Sequence, residues 1–163
     1  MKLEIERKFL IRSDAWRRNV LRKDLLRQGY LAVDQQKVIR VRVASGRGIL
    51  TIKQASTGIV RREFEYDIPV EEASLMVDEM SRGFVVEKIR HRVGHGDRVW
   101  EIDEFLKENS GLVVAEIELE GEEQVFEFPL WLGREVTTDH RFSNAALSCR
   151  PFSLWPDRDA FIG

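Results

Sequence analysis

The chain has 163 residues, 43% hydrophobic and 33% charged, with a formal net charge of -2 and one cysteine, Cys149. That length suits a single domain over 1–163 with its own buried core. The near balance of charge argues against a nucleic-acid binder relying on a basic field. A lone cysteine forms no intrachain disulfide and fits a reducing cytoplasm. Met1 leads at once into charged strand sequence, which reads as no signal peptide, and no apolar run approaches the ~18 residues of a membrane span.

In chain order, period-two alternation predicts strands over 3–11, 25–33, 37–44, 48–55, 60–69, 83–94, 97–105 and 112–119. The links are short, so neighbours should pair antiparallel. Turn signals lie at Asp34-Gln35-Gln36, Ser45-Gly46-Arg47-Gly48, Ser56-Thr57-Gly58 and Gly94-His95-Gly96-Asp97. Between the strands, Ser13 or Asp14 can cap a helix running to about Lys23. The segment 70–82 carries Val70, Ala73, Met76, Val77 and Met80 at helical spacing and stops at Gly83. Short helices are expected near 121–127, before Pro129, and over 139–148. From Pro151 the chain reads as a loosely held tail.

Each strand divides its residues by face. Glu4, Glu6 and Lys8 share one face; so do Arg40 and Arg42, Thr51 and Lys53, Glu63 and Glu65, Lys88, Arg90 and Arg92, Glu101 and Asp103, and Glu116 and Glu118. Two architectures satisfy this pattern. An antiparallel sheet could turn the charges to solvent. Alternatively, eight strands could close into a barrel with charges inside and helices packed on the apolar outside. Two features favour the barrel: the amphipathic helices need an apolar partner, and the signs segregate by strand instead of mixing. Charges buried dry and unpaired would cost several kcal/mol each, so such a barrel would need a highly charged ligand with metal. A polyphosphate meets that need, with Arg and Lys on its oxygens and carboxylates on divalent cations.

The opening Glu4-Ile5-Glu6-Arg7-Lys8-Phe9-Leu10 resembles the ExExK signature of the CYTH superfamily, the triphosphate tunnel metalloenzymes. Arg40-Val41-Arg42, Leu50-Thr51-Ile52-Lys53, Glu63-Phe64-Glu65, Val86-Glu87-Lys88-Ile89-Arg90, Trp100-Glu101-Ile102-Asp103-Glu104-Phe105 and Ala115-Glu116-Ile117-Glu118-Leu119 follow in the family's order. Leu132-Gly133-Arg134-Glu135-Val136-Thr137, with Asp139, Arg141, Phe142, Ser143 and Asn144, resembles the ending of short bacterial members. The resemblance implies an α+β fold: an eight-stranded antiparallel β-barrel, or tunnel, with a charged interior and helices outside.

It implies phosphate ligation by Lys8, Arg40, Arg42, Lys53, Lys88 and Arg90, with Tyr30 near the substrate. It implies metal binding, directly or through water, by Glu4, Glu6, Glu63, Glu65, Asp103, Glu116 and Glu118, for Mg2+ or Mn2+. Lys8, Arg42, Lys53 and Glu116 form the expected catalytic set. The implied reaction is metal-dependent hydrolysis of a small-molecule triphosphate, foremost inorganic tripolyphosphate to diphosphate and phosphate, in the cytoplasm. A class IV-type adenylyl cyclase, a thiamine triphosphatase and a non-catalytic polyphosphate- or nucleotide-binding module are the alternatives. No nucleic acid or membrane partner is expected; a homodimer is compatible with the resemblance. His91, His95 and His140 read as turn or surface residues, and Trp16, Trp100, Trp131 and Trp155 as packing. Asp139, Arg141 and Asn144 either cap a helix or help close the tunnel.

Overall fold

In the computed structural model, which describes residues 1–55 and 59–162, the alternating segments form β1 (Lys2–Ile11), β2 (Val20–Val33), β3 (Lys37–Ala44), β4 (Arg47–Gln54), β5 (Val60–Ile68), β6 (Val86–His95), β7 (Arg98–Phe105) and β8 (Val113–Glu118). Their order is β5-β4-β3-β2-β6-β7-β8-β1, all antiparallel, and β1 pairs back onto β5 from Lys2↔Glu63 to Ile5↔Val60. The eight-stranded sheet is therefore closed. A ninth strand, β9 (Leu132–Glu135), lies on β1 beyond the end of β5, at Phe9↔Glu135 and Ile11↔Leu132. The β3–β4 hairpin turns through Ser45 and Gly46, both at positive φ (51° and 73°), as a tight two-residue loop requires.

Closure sends the charged face inward, and the apolar face is covered from outside. Phe9, Trp100, Ile102, Ala115 and Ile117, on the outer faces of β1, β7 and β8, pack against Trp16, Phe126 and Trp131. Val41 packs under Ala73 and Val77 of helix α1 (Val70–Met80). The close approach of α1 needs Gly48, where a Cβ would lie 2.6 Å from that of Ala73. A third cluster seals one end of the barrel. There Leu10, Tyr30, Val86, Phe105 and Val114 meet Phe142, Phe152, Trp155 and Leu147 of helix α2 (Asn144–Cys149). All four tryptophans are packing residues, as expected. Among the described residues no helix is long and apolar enough to cross a membrane.

Several local expectations are corrected. The helix to Lys23 is only a 3-10 turn, Asp14–Asn19, because Val20 to Gln28 pair with β6 and extend β2 backwards. No helix forms over 121–127; the chain there instead carries Phe126 and Trp131 onto the outer core. The 139–148 helix breaks at Ser143, whose side chain accepts the Ala146 N–H and starts α2 after a 3-10 turn over His140–Phe142. The segment after Pro151 is no loose tail, since Phe152 and Trp155 are buried in the end cluster. His91 is neither at a turn nor at the surface. It is buried on the outside of β6, edge-on to Trp16 at 4.9 Å, with Nε2 2.6 Å from Glu104 Oε1. The turn expected at Ser56-Thr57-Gly58 lies outside the described residues.

Candidate active site

Because successive side chains of a strand point to opposite faces, the charged inward positions gather around one cavity, of about 810 Å³. All the expected phosphate ligands line it: Lys8, Arg40, Arg42, Lys53, Lys88 and Arg90, with Tyr30. So do Glu4, Glu6, Glu63, Glu65, Glu116 and Glu118. Asp103 does not; it lies fully buried behind two of the cations. Lys88 Nζ is 2.5 Å from Asp103 Oδ2, and Arg90 donates to both Asp103 oxygens at 2.8 Å.

Opposite charges are stitched within strands, between neighbouring strands and across a strand in between. Lys53 Nζ lies 2.8 Å from Glu4 Oε1 and 2.9 Å from Glu63 Oε2. Lys8 Nζ sits 3.4 Å from both Glu6 and Glu116. Arg90 also reaches Glu101 at 2.8 Å and Glu116 at 3.5 Å. Arg40 bonds Thr51 at 3.0 Å, with Glu65 at 3.6 Å. At the exposed rim Glu118 pairs with Lys2 at 2.6 Å.

These neighbours set the protonation states. Burial opposes the Lys8 ammonium, yet Glu116 and Glu6 outweigh it and raise its pKa above the ordinary lysine value. Burial likewise works against Glu6, but Lys8, Lys53 and Arg61 hold its carboxyl below the usual range. Asp103 is kept ionised against strong burial by Arg90 and Lys88. Burial, with Arg90 adding, pushes Lys88 down. Arg42 differs from the other five cations. Burial, then Arg40 and Arg90, push it down to about 9, still a cation at neutral pH. Its Nε donates to the neutral Gln28 Oε1 at 2.9 Å, and no carboxylate among the described residues forms a salt bridge with it.

Two residues of the site escaped the sequence reading. Arg61 lines the cavity 3.4 Å from Glu6, with its Nε buried and unpartnered. Its spacing of two from Glu63 was the available signal, masked by the adjacent Arg62. Gln28 is the other, while Asn144 was expected as a helix cap or as part of the tunnel's closure. Asn144 opens α2 but does not cap it; its Oδ1 accepts from Lys88 Nζ at 3.0 Å and Gln28 Nε2 at 3.3 Å. Asp139 does act as a cap, accepting the Arg141 N–H.

A closed tunnel holding ordered cations and carboxylates, with one guanidinium that makes no salt bridge among the described residues, can bind a small polyanion of high charge density. The comparisons with known proteins agree. The chain is 47% identical over 149 residues to an inorganic triphosphatase of Acetivibrio thermocellus, covering 91% of this chain and 95% of that protein. It is 35% identical over 149 residues to an inorganic triphosphatase of Nitrosomonas europaea, covering 89% of this chain and 96% of that protein. The crystal structure of the inorganic triphosphatase NE1496 superimposes with a TM-score of 0.67 at 33% identity, covering 91% of this chain and 95% of that one. The CYTH domain model matches residues 2–145, and the chain belongs to the CYTH domain family.

Proposed function

We propose that the protein is a triphosphatase that cleaves inorganic tripolyphosphate to diphosphate and phosphate with Mg2+ or Mn2+. The observation that carries this reading is the cavity wall. It is charged with both signs, and among the described residues its only rings are Tyr30 and His140. The tryptophans, which could stack on a base, are all committed to packing outside the tunnel or at its sealed end. Adenine or thiamine would find little to rest on, whereas a bare triphosphate needs only the charges. The activity named for the two curated relatives supports the same reading.

The donor set fits a hard divalent cation. Glu6 and Glu118 stand directly opposite on β1 and β8, and both line the cavity. Like charges so placed repel, and a cation between them would remove the penalty. Among the described residues no three acidic, histidine or cysteine side chains gather into a ready cage. That suits Mg2+, which takes few protein carboxylates and fills its shell with water and phosphate oxygens. Glu4, Glu6, Glu116 and Glu118 would hold it, with Glu63 and Glu65 on β5, the strand that pairs with β1 on its other side. Bound there, it would neutralise phosphate charge and acidify the attacking water.

The chain's own side chains do the remainder. Arg40, Arg42, Lys53, Lys88 and Arg90 grip the phosphate oxygens and stabilise charge growing on the departing diphosphate. Lys8, held between Glu6 and Glu116, stands between the acidic and the phosphate-binding groups. Asp103 acts as a buried counter-charge that fixes Lys88 and Arg90. Water attacks the terminal phosphorus in line as the bond to the bridging oxygen breaks, so no covalent nucleophile is required.

The test is release of phosphate and diphosphate from tripolyphosphate, ATP and thiamine triphosphate, each with Mg2+, Mn2+ or EDTA. Fast release from tripolyphosphate, abolished by EDTA, is the expected result. Cyclic AMP and diphosphate from ATP would instead make it a cyclase. Binding of all three without turnover would reduce it to a binding module.

A further inference from the structure

Gln28 is fully buried in β2 and points into the barrel, where nearly every other polar side chain is charged. Its amide is used at both ends. Oε1 accepts from Arg42 Nε at 2.9 Å, and Nε2 donates to Tyr30 Oη at 3.0 Å and Asn144 Oδ1 at 3.3 Å. Asn144 Oδ1 in turn accepts from Lys88 Nζ at 3.0 Å. One neutral side chain thus links β3, β2, α2 and, through Asn144, β6. The charged or titratable groups around it are Arg42 and Arg40 from β3, Tyr30 from β2, Lys88 and Arg90 from β6 and Asp103 from β7; α2 offers only the neutral Asn144.

We propose that Gln28 is a positioning residue for triphosphate binding, whose neutral amide aims the Arg42 guanidinium into the tunnel and, through Asn144, ties it to Lys88 and the sealing helix α2. This rests on the triphosphatase reading above. The physical reason is charge economy. A guanidinium offers five N–H donors in a rigid fork. Gln28 occupies Nε, and no hydrogen bond from Nη1 or Nη2 to protein is found among the described residues, which leaves that end of the fork for an anion. A carboxylate at position 28 would orient Arg42 equally well but would cancel the charge the substrate needs. An amide orients without neutralising.

The test is a double-mutant cycle on the full chain. Gln28→Glu, which preserves shape while adding a negative charge 2.9 Å from Arg42 Nε, should raise the KM for tripolyphosphate about tenfold, equivalent to ~1.4 kcal/mol. In an Arg42→Ala background the same change should have almost no further effect on KM, because its target is gone. A merely structural role would give an equal penalty in both backgrounds, and that result, or an unchanged KM in the folded Gln28→Glu protein, would overturn the proposal. Thermal melts establish that each variant is folded. Should Gln28→Glu not fold, Gln28→Met carries the same cycle, with loss confined to the background that retains Arg42. If the parent binds tripolyphosphate without hydrolysing it, the cycle is read on Kd by calorimetry. The hydrolysis reading then fails while this one is still decided by the cycle. A parent that binds no tripolyphosphate overturns both.

Discussion

Arg42 shows how one side chain can be poor for folding and good for binding. Of the six cations expected to bind phosphate it alone has no carboxylate salt-bridge partner among the described residues, and burial lowers its pKa to about 9. A half-buried charge without a counter-charge is less well solvated than one in water, and an anion in the cavity would offset that cost. Arg42→Ala should therefore raise the tripolyphosphate KM by at least about tenfold while leaving the melting temperature unchanged or higher. A clear fall in melting temperature with unchanged KM would show that Arg42 is a structural cation. Glu116 makes the complementary case. It faces the cavity between Lys8 and Arg90, at 3.4 and 3.5 Å, and belongs to the set proposed to hold the metal. Glu116→Gln keeps its volume and loses its charge. It should cut kcat about 100-fold while triphosphate still binds through the basic residues, and full activity in this variant would remove Glu116 from the metal site.

At the scale of elements, the outer faces of β6 and β7 are pinned to the 3-10 turn over Asp14–Asn19 by charge as well as by Trp16. Arg17 donates twice to Glu104, at 2.9 and 2.7 Å, and His91 meets the same carboxylate. The hydrogen bond from Arg17, then that from His91, lower the Glu104 pKa beneath its ordinary 4.5. The folded form thus gives up this proton more readily than the unfolded chain. The resulting stability is fully present above pH ~4.5 and is lost as pH falls through the lowered value. Melting temperatures of the parent and Arg17→Ala should differ by a constant amount near neutrality and converge below that pH. A gap that persists to pH 3 would assign the effect to packing. The outer core also explains what the sequence left illegible. Eight strands and the residues sharing each charged face could be read because a charge every second residue marks a strand, but alternation alone left open which face is inward, and the family resemblance pointed to the tunnel. The start of β2 could not, because Leu21-Arg22-Lys23-Asp24-Leu25 breaks the alternation and its ladder slips between Val20 and Arg22. Nor could β9, four residues whose only partner is β1. Gln28 carries no charge, so nothing in the pattern separated it from ordinary polar residues; Asn144 was singled out only by the resemblance of the chain's ending, and its contacts with Gln28 and Lys88 are visible only in three dimensions.

The whole molecule is a barrel turned inside out, with its apolar packing on the exterior and its ions in the centre. The stabilising burial lies in three clusters outside the charged wall or at its sealed end. The wall itself holds like-charged cross-strand pairs such as Glu6–Glu118 and Glu101–Glu116, together with the unpaired Arg42. Lys2, Lys8, Arg61 and Arg90 neutralise those carboxylates only in part, since Lys8 is shared by Glu6 and Glu116 and Arg90 by Glu101 and Glu116, so on the proposed function an anion would relieve the cations and a divalent metal the facing carboxylates. Binding should therefore be cooperative, with each ligand improving the site for the other. The experiment uses the parent chain with a non-hydrolysable imido analogue of tripolyphosphate, so that every carboxylate is intact and nothing is consumed, with melting curves in the analogue alone, Mg2+ alone and both together. A ligand at 100 times its dissociation constant stabilises by ~2.7 kcal/mol. For a chain of this length that raises the melting temperature by about 5–10 °C. The combined shift should exceed the sum of the separate ones. A strictly additive response would mean that metal and phosphate bind independently, and no response to either would show that the facing carboxylates and Arg42 are tolerated strains of the fold with no ligand to relieve them.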